Sequence, residues 1–71
     1  MRNHNLVNAR KLAGFTQKEV AKRIGVKEVS YQRYEYGERP SLLTAIRIAD
    51  LFGILDIRYL WNERNLLKNI K

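Results

Sequence analysis

Four glycines, Gly14, Gly25, Gly37 and Gly53, and the single Pro40 divide this chain into stretches with room only for short elements of secondary structure. Within those stretches apolar residues recur three and four positions apart, and no stretch sustains an alternation of apolar and polar residues. This pattern predicts an all-α fold, with five helices fitting the punctuation. No segment has the composition of a linker, so residues 1–71 read as one domain. A chain of 71 residues buries only about 60% of the surface it exposes when unfolded. With no cysteine, neither a disulfide nor a thiolate metal site can hold it together, and His4 alone cannot complete a zinc shell. No metal or other cofactor is expected, and packing has to supply the stability.

The first helix is expected over about Asn5 to Ala13, with Leu6, Ala9 and Ala13 on one face and Gly14 closing it. His4 then falls before that helix, as a surface residue. Thr16 and Glu19 have the T-x-x-E spacing of a capping box, and Phe15 and Val20 occupy the positions of a hydrophobic staple. The helix they start turns Val20, Ala21 and Ile24 inward and stops at Gly25. A third helix runs from near Lys27 to near Tyr36. Ser41 is placed to cap a fourth, whose buried stripe is expected to be Leu42, Ala45, Ile46, Ala49 and Phe52, ended by Gly53. Asp56 can cap a fifth helix over about 56–62 containing Ile57, Leu60 and Trp61. The tail 63–71 retains some helical spacing in Leu66, Leu67 and Ile70, which fits either an extension of that helix or disorder.

Fourteen Lys and Arg against seven Asp and Glu give a net charge of +7. On so small a body that charge attracts polyanions, which means nucleic acid or an anionic membrane surface. No apolar run approaches the roughly 20 residues needed to span a bilayer, and the start MRNHNLVNARK lacks the apolar core of a signal peptide. A soluble, cytoplasmic protein is expected. No second histidine, cysteine nucleophile, glycine-rich phosphate loop or supported carboxylate pair is present, so no enzymatic function is expected.

Residues 17–36, QKEVAKRIGVKEVSYQRYEY, read as two helices meeting at a tight turn. Val20, Ile24, Val26, Tyr31 and Tyr34 supply apolar contacts between them, Ala21 is small where the helices cross, and Gly25 stands where the turn needs a left-handed backbone. That combination is what a helix-turn-helix requires. From about residue 6 to residue 61 the chain resembles the Cro and cI repressor type of helix-turn-helix, the lambda-repressor-like (XRE) family. The resemblance is carried by Arg10, Phe15-Thr16-Gln17, Val20-Ala21, Ile24-Gly25-Val26, Ser30-Tyr31, Tyr34-Glu35, Gly37, Pro40-Ser41, Ala49 and Phe52-Gly53. Two positions depart from the family pattern. Lys27 stands where Ser, Thr or Asp usually caps the third helix, a contribution of about 0.5 to 2 kcal/mol. Leu55 looks like one extra residue before the last helix.

On a helical wheel of the third helix, Glu28, Val29, Gln32 and Arg33 share one face, opposite Tyr31, Tyr34 and Lys27. A helix lying in the major groove brings such side chains to base edges. Arg33 can bind guanine bidentately, Gln32 can pair with adenine, Glu28 can accept from cytosine, and Val29 can pack on a thymine methyl. Lys27 can reach a guanine or a phosphate. Phosphate contacts are expected from Gln17, by side chain and backbone N–H groups as the resemblance also implies, and from Lys18, Lys27, Ser30 and Arg39. Ser30 could instead bond only its own helix. Lys22 and Arg23 read as a solvated face.

The resemblance pairs Arg10 of the first helix with Glu35 at the end of the third, as a structural ion pair. It also implies a homodimer, formed in solution or only on DNA, with Ile57, Leu60 and Trp61 as contact candidates, although the same residues could complete the core. A dimer would read half-sites of a pseudo-palindrome about one helical turn apart. The function expected is sequence-specific binding of double-stranded DNA by a phage-like or mobile-element repressor. The alternatives are an antitoxin that binds a protein toxin and autoregulates its operon, and a protein- or RNA-binding use of the fold.

Overall fold

In the computed structural model, which describes residues 2–61, the chain forms four α-helices and one turn of 3-10 helix, with no strand among the described residues. Helix α1 (His4–Ala13) starts at His4 and not at Asn5, because the Asn3 side chain accepts from the Leu6 N–H and caps it. His4 is therefore the first helical residue, exposed as expected. The inward residues of α1 are Leu6, Val7 and Ala9, whereas Ala13 is exposed.

Helix α2 (Gln17–Ile24) begins with the complete capping box. The Glu19 N–H donates to the Thr16 hydroxyl, and the Thr16 N–H donates to the Glu19 carboxylate. Gly25 ends it at φ 78°, in the left-handed region. A Cβ there would meet no neighbour within 4 Å, so backbone conformation and not space favours glycine. Helix α3 (Glu28–Glu35) follows, flanked by Lys27 and Tyr36, and Lys27 provides no side-chain cap.

Helix α4 (Leu42–Phe52) is capped by Ser41, whose hydroxyl accepts from the Thr44 N–H. It is rotated from the expected stripe. Ala45, Ile48 and Ala49 are buried, while Leu42 and Ile46 are exposed. Both sets obey helical spacing, but Ile48 enters the core, which leaves Leu42 and Ile46 on the flank. Phe52 is partly buried and packs against the core, its ring 6.3 Å from that of Phe15.

Where a fifth helix was expected, the described residues form a single 3-10 turn, Ile57–Tyr59. Asp56 caps it as expected, accepting from the Arg58 N–H, and the same carboxylate pairs with the Arg58 guanidinium at 2.9 Å. These contacts span only two residues and favour a tight turn. The carbonyls of Tyr59 and Leu60 accept from the side chains of Asn5 and Asn3, at 2.9 and 2.7 Å. The expectations for 62–71 lie outside the described residues.

One core unites these elements. Leu6, Val20, Tyr31, Ile48 and Leu60, one from each helix and the fifth from beside the turn, are almost completely buried. Val26 and Tyr34 pack against the cluster from the α2–α3 turn and from α3.

Candidate nucleic-acid interface

The chain around α2 and α3 offers two differently built helix starts. In α2 the capping box satisfies the Thr16 and Glu19 N–H groups, and the N–H groups of Gln17 and Lys18 have no acceptor within the helix. In α3 the preceding Lys27 is extended, at φ −71° and ψ 149°, and gives no hydrogen bond from its side chain to the helix. Amide groups of helix ends and the cations Lys18 and Lys27, both exposed, make this region suited to anionic oxygens.

Helix α3 is two-sided. Tyr31 and Glu35 are fully buried and Tyr34 partly so, with the Tyr31 and Tyr34 rings edge to face at 6.3 Å. Glu28, Val29 and Arg33 are exposed, and Val29 keeps 51% of its surface in solvent. Gln32, the fourth member of the expected reading face, is half-buried and turned toward α2. Ser30 is also half-buried, and Arg39 is exposed beyond the end of α3.

The buried side of α3 is fixed by an ion pair. Arg10 Nε donates to Glu35 Oε2 at 2.6 Å, with the two side chains 11% and 2% exposed. Arg10 Nη2 reaches Glu35 Oε1 at 3.4 Å, and Nη1 donates to the Phe15 carbonyl at 3.0 Å. Gln17 Nε2 adds a bond to Glu35 Oε1 at 2.8 Å, and Gln32 Nε2 donates to Gln17 Oε1 at 3.5 Å. Burial by itself would push the Glu35 carboxyl up. The hydrogen bonds from Arg10 and Gln17 outweigh it and hold the group below the usual carboxylate range. The bonded carboxylate in turn raises the Arg10 guanidinium. The buried Tyr31 hydroxyl has no partner at hydrogen-bond geometry. Burial, and then the nearby Glu35 carboxylate, push its ionisation up, so it stays a neutral phenol.

Other predicted residues are distributed as follows. Lys22 and Arg23 are exposed, and the Arg23 guanidinium lies 5.4 Å above the Phe15 ring. Leu60 and Trp61 are buried in the core and Ile57 packs against it. Exposed apolar side chains lie elsewhere, at Leu42, Leu43 and Ile46 on α4. Leu42 borders a cavity of about 290 Å³ that is also lined by Pro40, Ala45, Ile57 and Trp61.

Asn3 was not anticipated from sequence. It caps α1 with Oδ1, donates from Nδ2 to the Leu60 carbonyl, and donates its backbone N–H to the Glu35 carbonyl at 2.7 Å. One residue thus joins the start of α1 to the end of α3 and to the 3-10 turn. Its position before a helical run carries the cap signal, but nothing in the sequence marks its two carbonyl partners.

A family model described as helix-turn-helix matches residues 6–60, most of the chain. The chain belongs to the lambda-repressor-like helix-turn-helix family. No curated protein and no solved structure shows significant similarity to it. The family is one of DNA-binding transcription regulators and is typically non-enzymatic. Among the described residues of this helix-turn-helix protein, no helix is long and apolar enough to cross a membrane and no cluster of residues could hold a metal.

Proposed function

We propose that this protein is a repressor or regulator of phage or mobile-element type that places α3 in the major groove of a specific operator. The observation that carries the reading is the division of α3. One side is buried and pinned by an ion pair, while Glu28, Val29 and Arg33 stand in solvent beside the exposed cations Lys18 and Lys27. In this reading Glu28, Val29, Gln32 and Arg33 meet base edges, with Lys27 at a base or a phosphate. Lys18, Ser30, Arg39 and the N–H groups opening α2 at Gln17 and Lys18 hold the backbone.

A dimer follows from energetics. Specific binding has to exceed non-specific binding by about a thousandfold or more, and one short helix supplies few base contacts. Exposed Leu42, Leu43 and Ile46 offer apolar surface for a second copy, beside Ile57 and Trp61 across the adjoining cavity.

Selection of binding sites from random duplex DNA tests the reading. A pseudo-palindrome with half-sites about one helical turn apart is expected. On the selected site, Arg33→Ala should cost about 1 to 3 kcal/mol and relax one base position, while Lys18→Ala should weaken all sequences alike and lower the salt slope. Equal weakening of specific and random DNA by Arg33→Ala would remove Arg33 from the reading face.

A further inference from the structure

An apolar groove of about 300 Å³ lies on a face to which neither α2 nor α3 contributes. Ala9, Leu12 and Ala13 of α1 line it together with Phe52, Ile54 and Tyr59. It shares no lining residue with the cavity beside Leu42. Two apolar side chains stand uncovered on this face, Leu12 at 88% exposure and Leu55 fully exposed. We propose that the face is a second self-association surface, in which Leu55 of each copy enters the groove of the other and joins two copies that are each bound to DNA. The proposal rests on the DNA-binding reading above and adds a contact apart from the one on α4.

A groove and a projecting leucine on one face are what a two-fold contact needs, because each copy then supplies both the knob and the hole. The hole is held in shape before any partner arrives. Asn5 Nδ2 donates to the Tyr59 carbonyl at 2.9 Å, which ties the 3-10 turn to α1, and the Phe52 ring packs on Phe15. Leu55 is also the residue in excess of the family pattern, so the knob is a feature of this chain.

Charge favours a second copy over an unrelated partner. The chain carries +7, and a partner drawn to it by complementarity would be acidic and would meet cations at its contact. The six lining residues and Leu55 include no charge, although 30% of the chain is charged. The neighbouring Asp56 and Arg58 pair with each other at 2.9 Å. Two like-charged chains can meet only on such a face. Its area, roughly a few hundred Å², falls short of the about 800 Å² per partner of a stable complex, and the net charge opposes association in solution. Copies held on neighbouring sites escape both limits, since phosphates offset their charge and the DNA raises their effective concentration.

The test uses duplexes that carry one selected operator, or two at separations stepped by single base pairs through one helical turn. At the favourable separation the second site should fill about tenfold or more tighter than an isolated one, as burial of a leucine on each side predicts. Leu55→Asp should abolish that gain and leave the affinity for a single operator unchanged, because a fully exposed Leu55 supports neither the core nor the proposed DNA face. The chain has no cysteine, so any crosslink comes from introduced residues. Under mild oxidation, Leu55→Cys copies mixed with Ala13→Cys copies should form the mixed disulfide on the two-site duplex, and Leu55→Cys mixed with Lys22→Cys should not.

Independent filling of the two sites at every separation would overturn the proposal. Only this protein and DNA are present, so that result would leave the face to an unrelated partner. A gain that survives Leu55→Asp would place the contact elsewhere and overturn it too. Methyl resonances of Leu12 and Leu55 that shift on Leu67→Asp in the dilute, DNA-free protein would assign the face to the chain's own tail, with the same consequence. Failure of the unmodified protein to bind any single operator would defeat the DNA reading, and is told apart because it involves neither a second site nor a substitution.

Discussion

Helices α2 and α3 are of equal length, adjacent in sequence and joined by a turn at Gly25, yet they are held in opposite ways. Helix α2 is secured at its start, by two of its own neighbourhood, Thr16 and Glu19. Helix α3 lacks a side-chain cap at its start and is secured at its end, where Glu35 receives Arg10 and Gln17 through its carboxylate and Asn3 through its carbonyl. The first arrangement is local, and its parts are three residues apart. The second gathers residues from both preceding helices and from before the first. A helix held by its far end can leave its first turn bare, and in α3 that turn carries Glu28 and Val29, both exposed.

The strongest way to break this comparison is Arg10→Met. It strands the Glu35 carboxylate in a buried site, and removal of one partner of such a pair typically costs about 3 to 5 kcal/mol. Thr16→Ala, which removes the local cap of α2, should cost about 1 kcal/mol. Urea unfolding of both variants measures the difference. Equal losses would mean that α3 is not held chiefly by its distal end.

The same pair gives a pH dependence. Although burial opposes its charge, Glu35 is held below its ordinary value of 4.5 by Arg10 and Gln17, so the unfolded chain binds this proton more readily than the folded one. The stabilisation is complete above the unfolded value and is lost as pH falls through the lower folded value. Thermal unfolding followed from pH 7 downward should show a decline beginning near pH 4.5, shallower in Arg10→Met. A variant decline as steep as that of the unmodified protein would assign the acid sensitivity to other carboxylates.

The comparison also accounts for what the sequence disclosed. The capping box of α2 and the glycine at its end are written at fixed local offsets, so they could be read directly. The Arg10–Glu35 pair joins residues with no local relation and was legible only through the family resemblance. The bonds from Asn3 and Asn5 to the carbonyls of Leu60 and Tyr59 left no trace, because a backbone carbonyl has no residue identity. In α4 two apolar stripes satisfied the same spacing, and packing of Ile48 selected between them. An Asp56 cap looks alike ahead of an α-helix and ahead of one 3-10 turn. In the candidate site, the wheel gave the exposure of Glu28, Val29 and Arg33. It could not give the inward turn of Gln32, which depends on Gln17 from another helix.

Asn3 permits a smaller and more pointed test of distal support. Asn3→Ala removes the cap of α1 and the bond to the Leu60 carbonyl but keeps the backbone bond to Glu35. A cap and one part-buried hydrogen bond together amount to about 2 kcal/mol. Amide hydrogen exchange should show the loss at the first turn of α1 and around Leu60, with the end of α3 less affected. Equal loss of protection at Glu35 and Tyr36 would show that the Asn3 side chain, and not its backbone, supports α3.

The smallest expected effect has the opposite sign, and it probes the bare start of α3. Lys27→Ser supplies a hydroxyl where the backbone is already extended, at φ −71° and ψ 149°, in the conformation that a capping residue adopts. The helix should gain about 0.5 to 1 kcal/mol, read as a higher urea midpoint with an unchanged slope. The same substitution removes a cation from the proposed interface, so affinity for the selected operator should fall while stability rises. Loss at every sequence together with a lower salt slope would place Lys27 on a phosphate, and loss confined to one base pair would place it on a base. A variant more stable and undiminished in binding would show that Lys27 serves neither, and that the missing cap of α3 is not compensated by a contact to DNA.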